Sequence, residues 1–221
     1  MQVHDAVYDP VKKEMAAVRD PIAAALVGQM ERRGIDSATW PRPYAGAIAQ
    51  IRNMLERNPK ERELQDALVD SGLLAVTCQV AQEVSIKPTD GHRGMRMDIV
   101  LESKVDGQTE IIELKRGSHM LLARRGQPTQ RVSQELVAAG AQLGEYGDRI
   151  KADDAAATDL GERLGFAFEH LRLRLVAGRR LASPQEYHFF ISLEVDASDS
   201  GLQLQIYTWD GFLAELERLL D

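Results

Sequence analysis

A single cysteine in 221 residues leaves no partner for a disulfide and too few thiolates for a zinc cluster. Cys78 lies in the apolar stretch 73–80 and reads as a small core residue. No run of eighteen apolar residues occurs, and the first thirty positions carry acids and prolines where a signal peptide would carry a basic flank and an apolar core. The expected location is therefore the cytoplasm, with no membrane partner. Internal repeats and low-complexity tracts are absent, which excludes solenoids and linker-like chains. An excess of basic charge is also missing: the net charge is −7 with a pI near 5.3, which works against simple nucleic-acid binding through lysine and arginine.

What is present is ordinary for a soluble globular domain, with 44% hydrophobic and 28% charged residues. The length suits one substantial core plus a helical appendage. Asp9-Pro10 and Asp20-Pro21 each offer an N-cap followed by proline, predicting helices over 10–18 and 21–33, with another over 43–57. A boundary at Asn58-Pro59 divides a helical region, 1–58, from a main domain, 59–221. That domain opens with an amphipathic helix over 60–70, ended by Gly72. Strands are predicted at 73–80, 82–87, 97–103 and 109–115, then a helix over 133–146 and a weakly specified acidic stretch over 148–163. A strand at 171–177, a helix at 184–195 begun by Ser183-Pro184-Gln185-Glu186, a strand at 202–208 and a C-terminal helix complete the pattern. The fold class is α/β (α+β): a mixed central sheet flanked by helices, with an N-terminal helical extension.

The chemistry concentrates in residues 95–116, MRMDIVLESKVDGQTEIIELKR, where two alternating strands flank Asp106-Gly107. With those two as the central turn residues, Val105 pairs with Gln108, Val100 with Glu113 and Asp98 with Lys115. Asp98, Glu113 and Lys115 then share one face, while Ile99, Leu101, Ile112 and Leu114 form an apolar opposite face. Side chains opposed in this way have Cβ atoms about 5 Å apart, and diagonal ones about 7 Å, so both carboxylates can reach one hard cation. Mg²⁺ or Mn²⁺, held by Asp98, Glu113 and the main-chain carbonyl of Leu114, would polarise a phosphoryl oxygen and acidify an attacking water. Lys115 would orient that water or neutralise developing charge.

Other groups can serve the same site. Glu63, on the helix before the sheet, is either an accessory acid or a surface residue; Glu61 and Asp66 are less favoured alternatives. Gln142 and Tyr146, four residues apart on one helix, either point at the site together or are a surface glutamine and a core-edge tyrosine. Between Gly91 and Arg131 eight lysines and arginines face five acids, so the local balance is basic. Arg96, Arg116, His119, Arg124, Arg125 and Arg131 form the expected DNA track, although singly each reads as a solvated charge or a lone histidine.

The set Asp98, Glu113-Leu114-Lys115 and Gln142-x-x-x-Tyr146 resembles the PD-(D/E)XK nuclease superfamily, its last element being similar to that of RecB-like members. In the order of its features the chain most resembles the nuclease domain of Shedu anti-phage proteins. These features are Glu63-Leu64-Gln65, MDIVLES, EIIELKR, AQLGEY, LVAGR and IYTWDGFL, over about residues 60–220. The resemblance implies a restriction-endonuclease-like fold, Asp98 and Glu113 as metal ligands, Lys115 as catalytic lysine and Glu63 as accessory acid. It also implies Mg²⁺-dependent DNA cleavage, homo-oligomeric assembly and phage defence. Met97 stands where the motif's proline would be, and residues 1–58 lie outside the resemblance. The competing readings are the same fold kept as a catalytically silent DNA-binding or oligomeric assembly module, and a purely structural interaction protein. The acidic pI favours the first of these, and the intact Asp98, Glu113 and Lys115 set weighs against it.

Overall fold

The computed structural model describes residues 43–86, 94–124, 127, 130–179, 181, 190 and 203–220. The helices expected at 10–18 and 21–33, and nearly all of the one expected at 184–195, lie outside the described residues. The described chain runs α1 (Pro43–Leu55), α2 (Glu61–Asp70), a 3₁₀ turn (Leu74–Val76), β1 (Cys78–Ile86), β2 (Met95–Ser103) and β3 (Thr109–Leu114). A short pair, β4 (Leu122–Ala123) and β5 (Arg131–Val132), leads into α3 (Gln134–Ala152) and α4 (Asp154–Leu164). The chain ends with β6 (Leu171–Val176), β7 (Gln203–Tyr207) and α5 (Trp209–Leu220).

Among the described residues five strands form one mixed sheet in the order β1-β2-β3-β6-β7, antiparallel across the first three and parallel across the last three. Helices cover both faces, as the alternating and continuous apolar patterns predict. On one face Val100, Ile111, Leu173 and Leu175 pack with Leu136, Leu143, Tyr146 and Ile150 of α3 and Leu160 of α4. On the other, Ile99, Leu101, Ile112 and Leu114 pack with α2 and α5 through Leu64, Leu68, Trp209 and Phe212. Helix α1, on the N-terminal side of the boundary at 58, buries Ile48, Ile51 and Leu55 in this second core.

Capping explains where the long helices begin. The Ser133 hydroxyl accepts from the Leu136 amide and donates to the Met120 carbonyl, so it caps α3 and ties it to the loop leaving β3. The Asp153 side chain accepts from the Ala156 amide, which starts α4 within the stretch that composition left weakly specified.

The β2–β3 hairpin differs from the register expected for a two-residue turn. Its partners are Ile99 with Ile112, Val100 with Ile111, and Glu102 with Thr109, two residues away from the expected pairing. The cause is a wider loop over 104–107. The Ser103 hydroxyl accepts from the Val105 and Asp106 amides, the Asp106 carboxylate accepts from Gln108, and Gly107, at φ 68°, donates to the Ser103 carbonyl. A slip of two keeps the parity with which residues of the two strands oppose each other. Continuing the observed register sets Asp98 opposite Glu113 rather than Lys115.

Two other expectations are corrected. The apolar run after Gly72 begins as a 3₁₀ turn, not a strand, because Gly72 takes φ 72° and the Ala75 amide closes back on its carbonyl. The two strands expected at 73–80 and 82–87 are one, β1, interrupted only at Glu83.

That interruption shapes the site. Glu83 takes φ 52° in mid-strand, and the ladder between β1 and β2 runs unbroken in register except at the Glu83–Asp98 pair. Ala81 and Val100 face the α3 side, and so do Val84, Ile86, Met95 and Met97; strict alternation would turn those last four away. Both strands therefore change phase at this one opposed pair. A left-handed backbone at a residue other than glycine works against the fold by about 1–2 kcal/mol, and burial of four apolar side chains on the correct face offsets it.

Candidate active site

The site grows from the end of the β2–β3 ladder. Beyond the Ile99–Ile112 pair the next β3 donor facing β2, the Leu114 amide, bonds at 2.8 Å to the Asp98 carboxylate. Asp98 thus takes the position a ladder carbonyl would hold, and its side chain lies at the mouth between the two strands. Its own carbonyl accepts at 2.8 Å from the amide of Gln65, a 4% exposed residue of α2. Asp98 is held at both ends.

Glu113 is 2% exposed, and Lys115 donates to its Oε1 at 2.6 Å. Its Oε2 is buried with no hydrogen-bond partner among the described residues. Burial first, then repulsion from Asp98, push the Glu113 carboxyl up to about 7, while Lys115 opposes both. Burial also raises Asp98, against the Leu114 amide and the Lys115 charge. Lys115 is half-buried; burial alone would lower its ammonium, but Glu113 raises it above the usual lysine value. Two carboxylates that disfavour joint ionisation, beside a cation that cannot satisfy both, form a donor set suited to a hard divalent ion.

The backbone of Lys115 is fixed on both sides. Its amide donates to the Val176 carbonyl at 2.8 Å, and its carbonyl accepts from the indole N–H of fully buried Trp209 at 2.7 Å. Gly178 lets the 116–121 segment close over this point. At φ 63°, a Cβ there would lie 2.7 Å from the Leu121 side chain and 2.8 Å from the His119 carbonyl. Sequence reasoning missed Gln65 and Trp209 as site residues. Each lies within a stretch that carried the family resemblance, but no local pattern marks a side chain whose task is to hold a backbone carbonyl of another element.

Among the other expected residues, Tyr146 and Gln142 come to the site together. Gln142 donates to the Tyr146 hydroxyl, which donates at 3.0 Å to the Arg96 carbonyl. Burial raises the Tyr146 phenol, and the charges of Glu113 and Asp98 raise it further, so the ring stands within their field. Glu63 does not join them. Its carboxylate turns back to accept from the Lys60 amide at 3.0 Å, the Glu half of a capping box at the start of α2. The acid of that helix whose charge acts on Asp98, Glu113 and Lys115 is Glu61. Asp66 instead holds Arg62. Among the described residues no three His, Cys, Asp or Glu side chains lie close enough to hold a metal.

The arginine track is present in part. Arg96, Arg116, Arg124 and Arg131 are exposed, Arg96 faces Glu83 at 3.8 Å, and Arg125 lies outside the described residues. His119 is half-buried, and its Nε2 has no partner among the described residues. No helix among those residues is long and apolar enough to cross a membrane.

Comparison with known proteins bears on this geometry. The chain matches none of the curated proteins. Among solved structures it is similar to the crystal structure of protein VC1899 from Vibrio cholerae, at 20% identity and a TM-score of 0.35. That match covers 71% of this chain, which spans only 30% of the Vibrio cholerae chain. The family model for the C-terminal part of Shedu protein SduA matches residues 50–213, a span that holds Gln65, Asp98, Glu113, Lys115, Tyr146 and Trp209. The chain belongs to the Shedu SduA C-terminal family.

Proposed function

We propose that this protein is a metal-dependent DNA nuclease acting in anti-phage defence, with Asp98, Glu113 and Lys115 at its centre. Membership of the Shedu SduA C-terminal family supports the defence role. The observation that carries the chemistry is the buried, unpartnered Oε2 of Glu113 beside Asp98. A carboxylate oxygen sealed from water without a donor is costly unless a cation takes it. Asp98 and Glu113 would hold Mg²⁺ or Mn²⁺, with the Leu114 carbonyl, waters and a substrate phosphate filling the remaining positions. Bound there, the ion supplies Lewis acidity and neutralises charge on the phosphoryl group.

The chain's own groups set the geometry. Gln65 and the Leu114 amide fix Asp98; Val176 and Trp209 fix the Lys115 backbone, so its ammonium can orient a water or stabilise developing charge at the phosphorus. Tyr146, held by Gln142, anchors the strand segment that carries Arg96 into the site. Glu61 adds negative field that favours a cation. Arg96, Arg116, Arg124, Arg125 and Arg131 are the phosphate-contacting set. DNA is the partner, and the defence assembly is a homo-oligomer.

The test is cleavage of linear, nicked and supercoiled DNA with Mn²⁺. Wild type should cut, EDTA should abolish cutting, and Asp98→Ala and Lys115→Ala should be inactive while folded. Undiminished cutting by either variant refutes the assignment. The net charge of −7 favours one other reading, a silent DNA-binding or assembly module. It is the reading to adopt if DNA is bound but never cut.

A further inference from the structure

The change of strand phase explains why Glu83 has a left-handed backbone but not why a glutamate occupies it, since glycine would do so without strain. Its carboxylate has a definite use. Oε1 of Glu83 receives Nη1 of Arg62 from α2 and lies 3.8 Å from Nη1 of Arg96 on β2. The Arg62 guanidinium is aimed by a second bond, its Nε donating to Asp66 at 3.1 Å. The main chain of Arg96 is anchored where its carbonyl accepts from Tyr146. The two arginine side chains remain 53% and 64% exposed, so both are open to a ligand.

Their position is at the rim of the acid pair. Arg96 precedes Asp98 by two residues, and Glu83, which faces both arginines, stands opposite Asp98 in the β1–β2 register. A DNA strand approaching two carboxylates meets repulsion, and a fixed pair of guanidiniums beside them is the means of holding it. The fork of a guanidinium fits a carboxylate and a phosphodiester alike, because each presents two anionic oxygens of similar spacing.

We propose that Glu83 is an internal stand-in for a DNA phosphate: it holds Arg62 and Arg96 in place at the rim, and a backbone phosphodiester displaces it when the strand binds. The inference rests on the nuclease reading of the site and adds the phosphate subsite and its occupant in the free protein. Glu83 suits displacement, since its ion pairs are solvent-exposed, hence weak and screened by salt.

The experiment is fluorescence anisotropy of the full chain with a short labelled DNA duplex, in EDTA so that nothing is cut. Glu83→Gln should bind about threefold to tenfold tighter than wild type. The double variant Arg62→Ala/Arg96→Ala should bind more weakly, with a salt dependence shallower by about one phosphate contact. Glu83→Gln added to that double variant should bring no gain. Glu83→Gly removes the carboxylate while relieving the left-handed backbone, and should reproduce the tighter binding if the glutamine variant fails to fold. Unchanged or weaker affinity in the folded variants overturns the stand-in, as does a gain that persists without the two arginines or no DNA binding by any of the proteins. A wild type that cuts DNA while Glu83→Gln binds no tighter sinks the stand-in alone. Tighter binding by Glu83→Gln in a chain that never cuts keeps the stand-in and sinks the nuclease reading.

Discussion

Replacing Glu113 by glutamine should remove a pH dependence of folding that the wild-type chain carries. The unfolded carboxyl titrates near 4.5, and burial and Asp98 push the folded one up to about 7. Below the first value both states hold the proton, and above the second neither does. Between them the folded state holds more protons, so stability falls as pH rises through this window. At about 1.4 kcal/mol for each tenfold change in proton affinity, the interval corresponds to about 3 kcal/mol. Glu113 is 2% exposed, so solvent screening removes little of that. Asp98 is also raised by burial and titrates in both proteins, so the part of its contribution that burial causes is common to the two. Denaturant unfolding in EDTA at about pH 5 and about pH 8 reads the effect: wild type should lose about 2–3 kcal/mol more than Glu113→Gln between the two. Absolute stabilities are less informative, because the variant also deprives Lys115 of its counter-charge, whereas the pH slope isolates the proton. Equal slopes in the two proteins would falsify the claim that Glu113 sits in a site hostile to its own charge.

Three further outcomes follow from the same geometry. Trp209→Phe keeps the ring in the core but leaves the Lys115 carbonyl without its 2.7 Å donor; thermal unfolding should show a loss of about 1–3 kcal/mol, and cutting should fall more than DNA affinity. Glu61→Gln should weaken Mn²⁺ stabilisation of the fold, whereas Glu63→Gln should cost only a capping contribution of about 1 kcal/mol and leave the metal response intact; the opposite pattern restores Glu63 as the accessory acid. Gly178→Ala forces a Cβ within 2.8 Å of the His119 carbonyl at a left-handed backbone position, so denaturant unfolding should show a loss of more than about 1 kcal/mol, and a neutral result contradicts the tight turn.

Much of the architecture is legible in sequence because it is periodic. The mixed α/β class and most elements follow from alternation and capping, whereas Asp98 approaches Glu113 from a point where strict alternation of β2 breaks, which parity does not show. The details that failed depend on interactions across the chain. The hairpin register turned on Ser103 and Asp106 bonding their own loop, which the Asp-Gly signal alone does not reveal. Glu63 and Glu61 lie on the same helix, and only the bond from the Lys60 amide to Glu63 shows which one turns away. The phase change at Glu83 has no sequence mark, since the residue expected at a left-handed position is glycine. Gln65 and Trp209 act through main-chain carbonyls far away in sequence, which no local pattern encodes.

The central claim is that Asp98 and Glu113 share one divalent cation, and titration of the full chain with Mn²⁺, followed by electron paramagnetic resonance of the free ion, tests it most directly. Wild type should take up Mn²⁺ at neutral or higher pH, with uptake lost in Asp98→Ala and in Glu113→Gln and retained in Lys115→Ala. A wild type that binds no Mn²⁺, or an Asp98→Ala variant that binds it as well as wild type, contradicts the account.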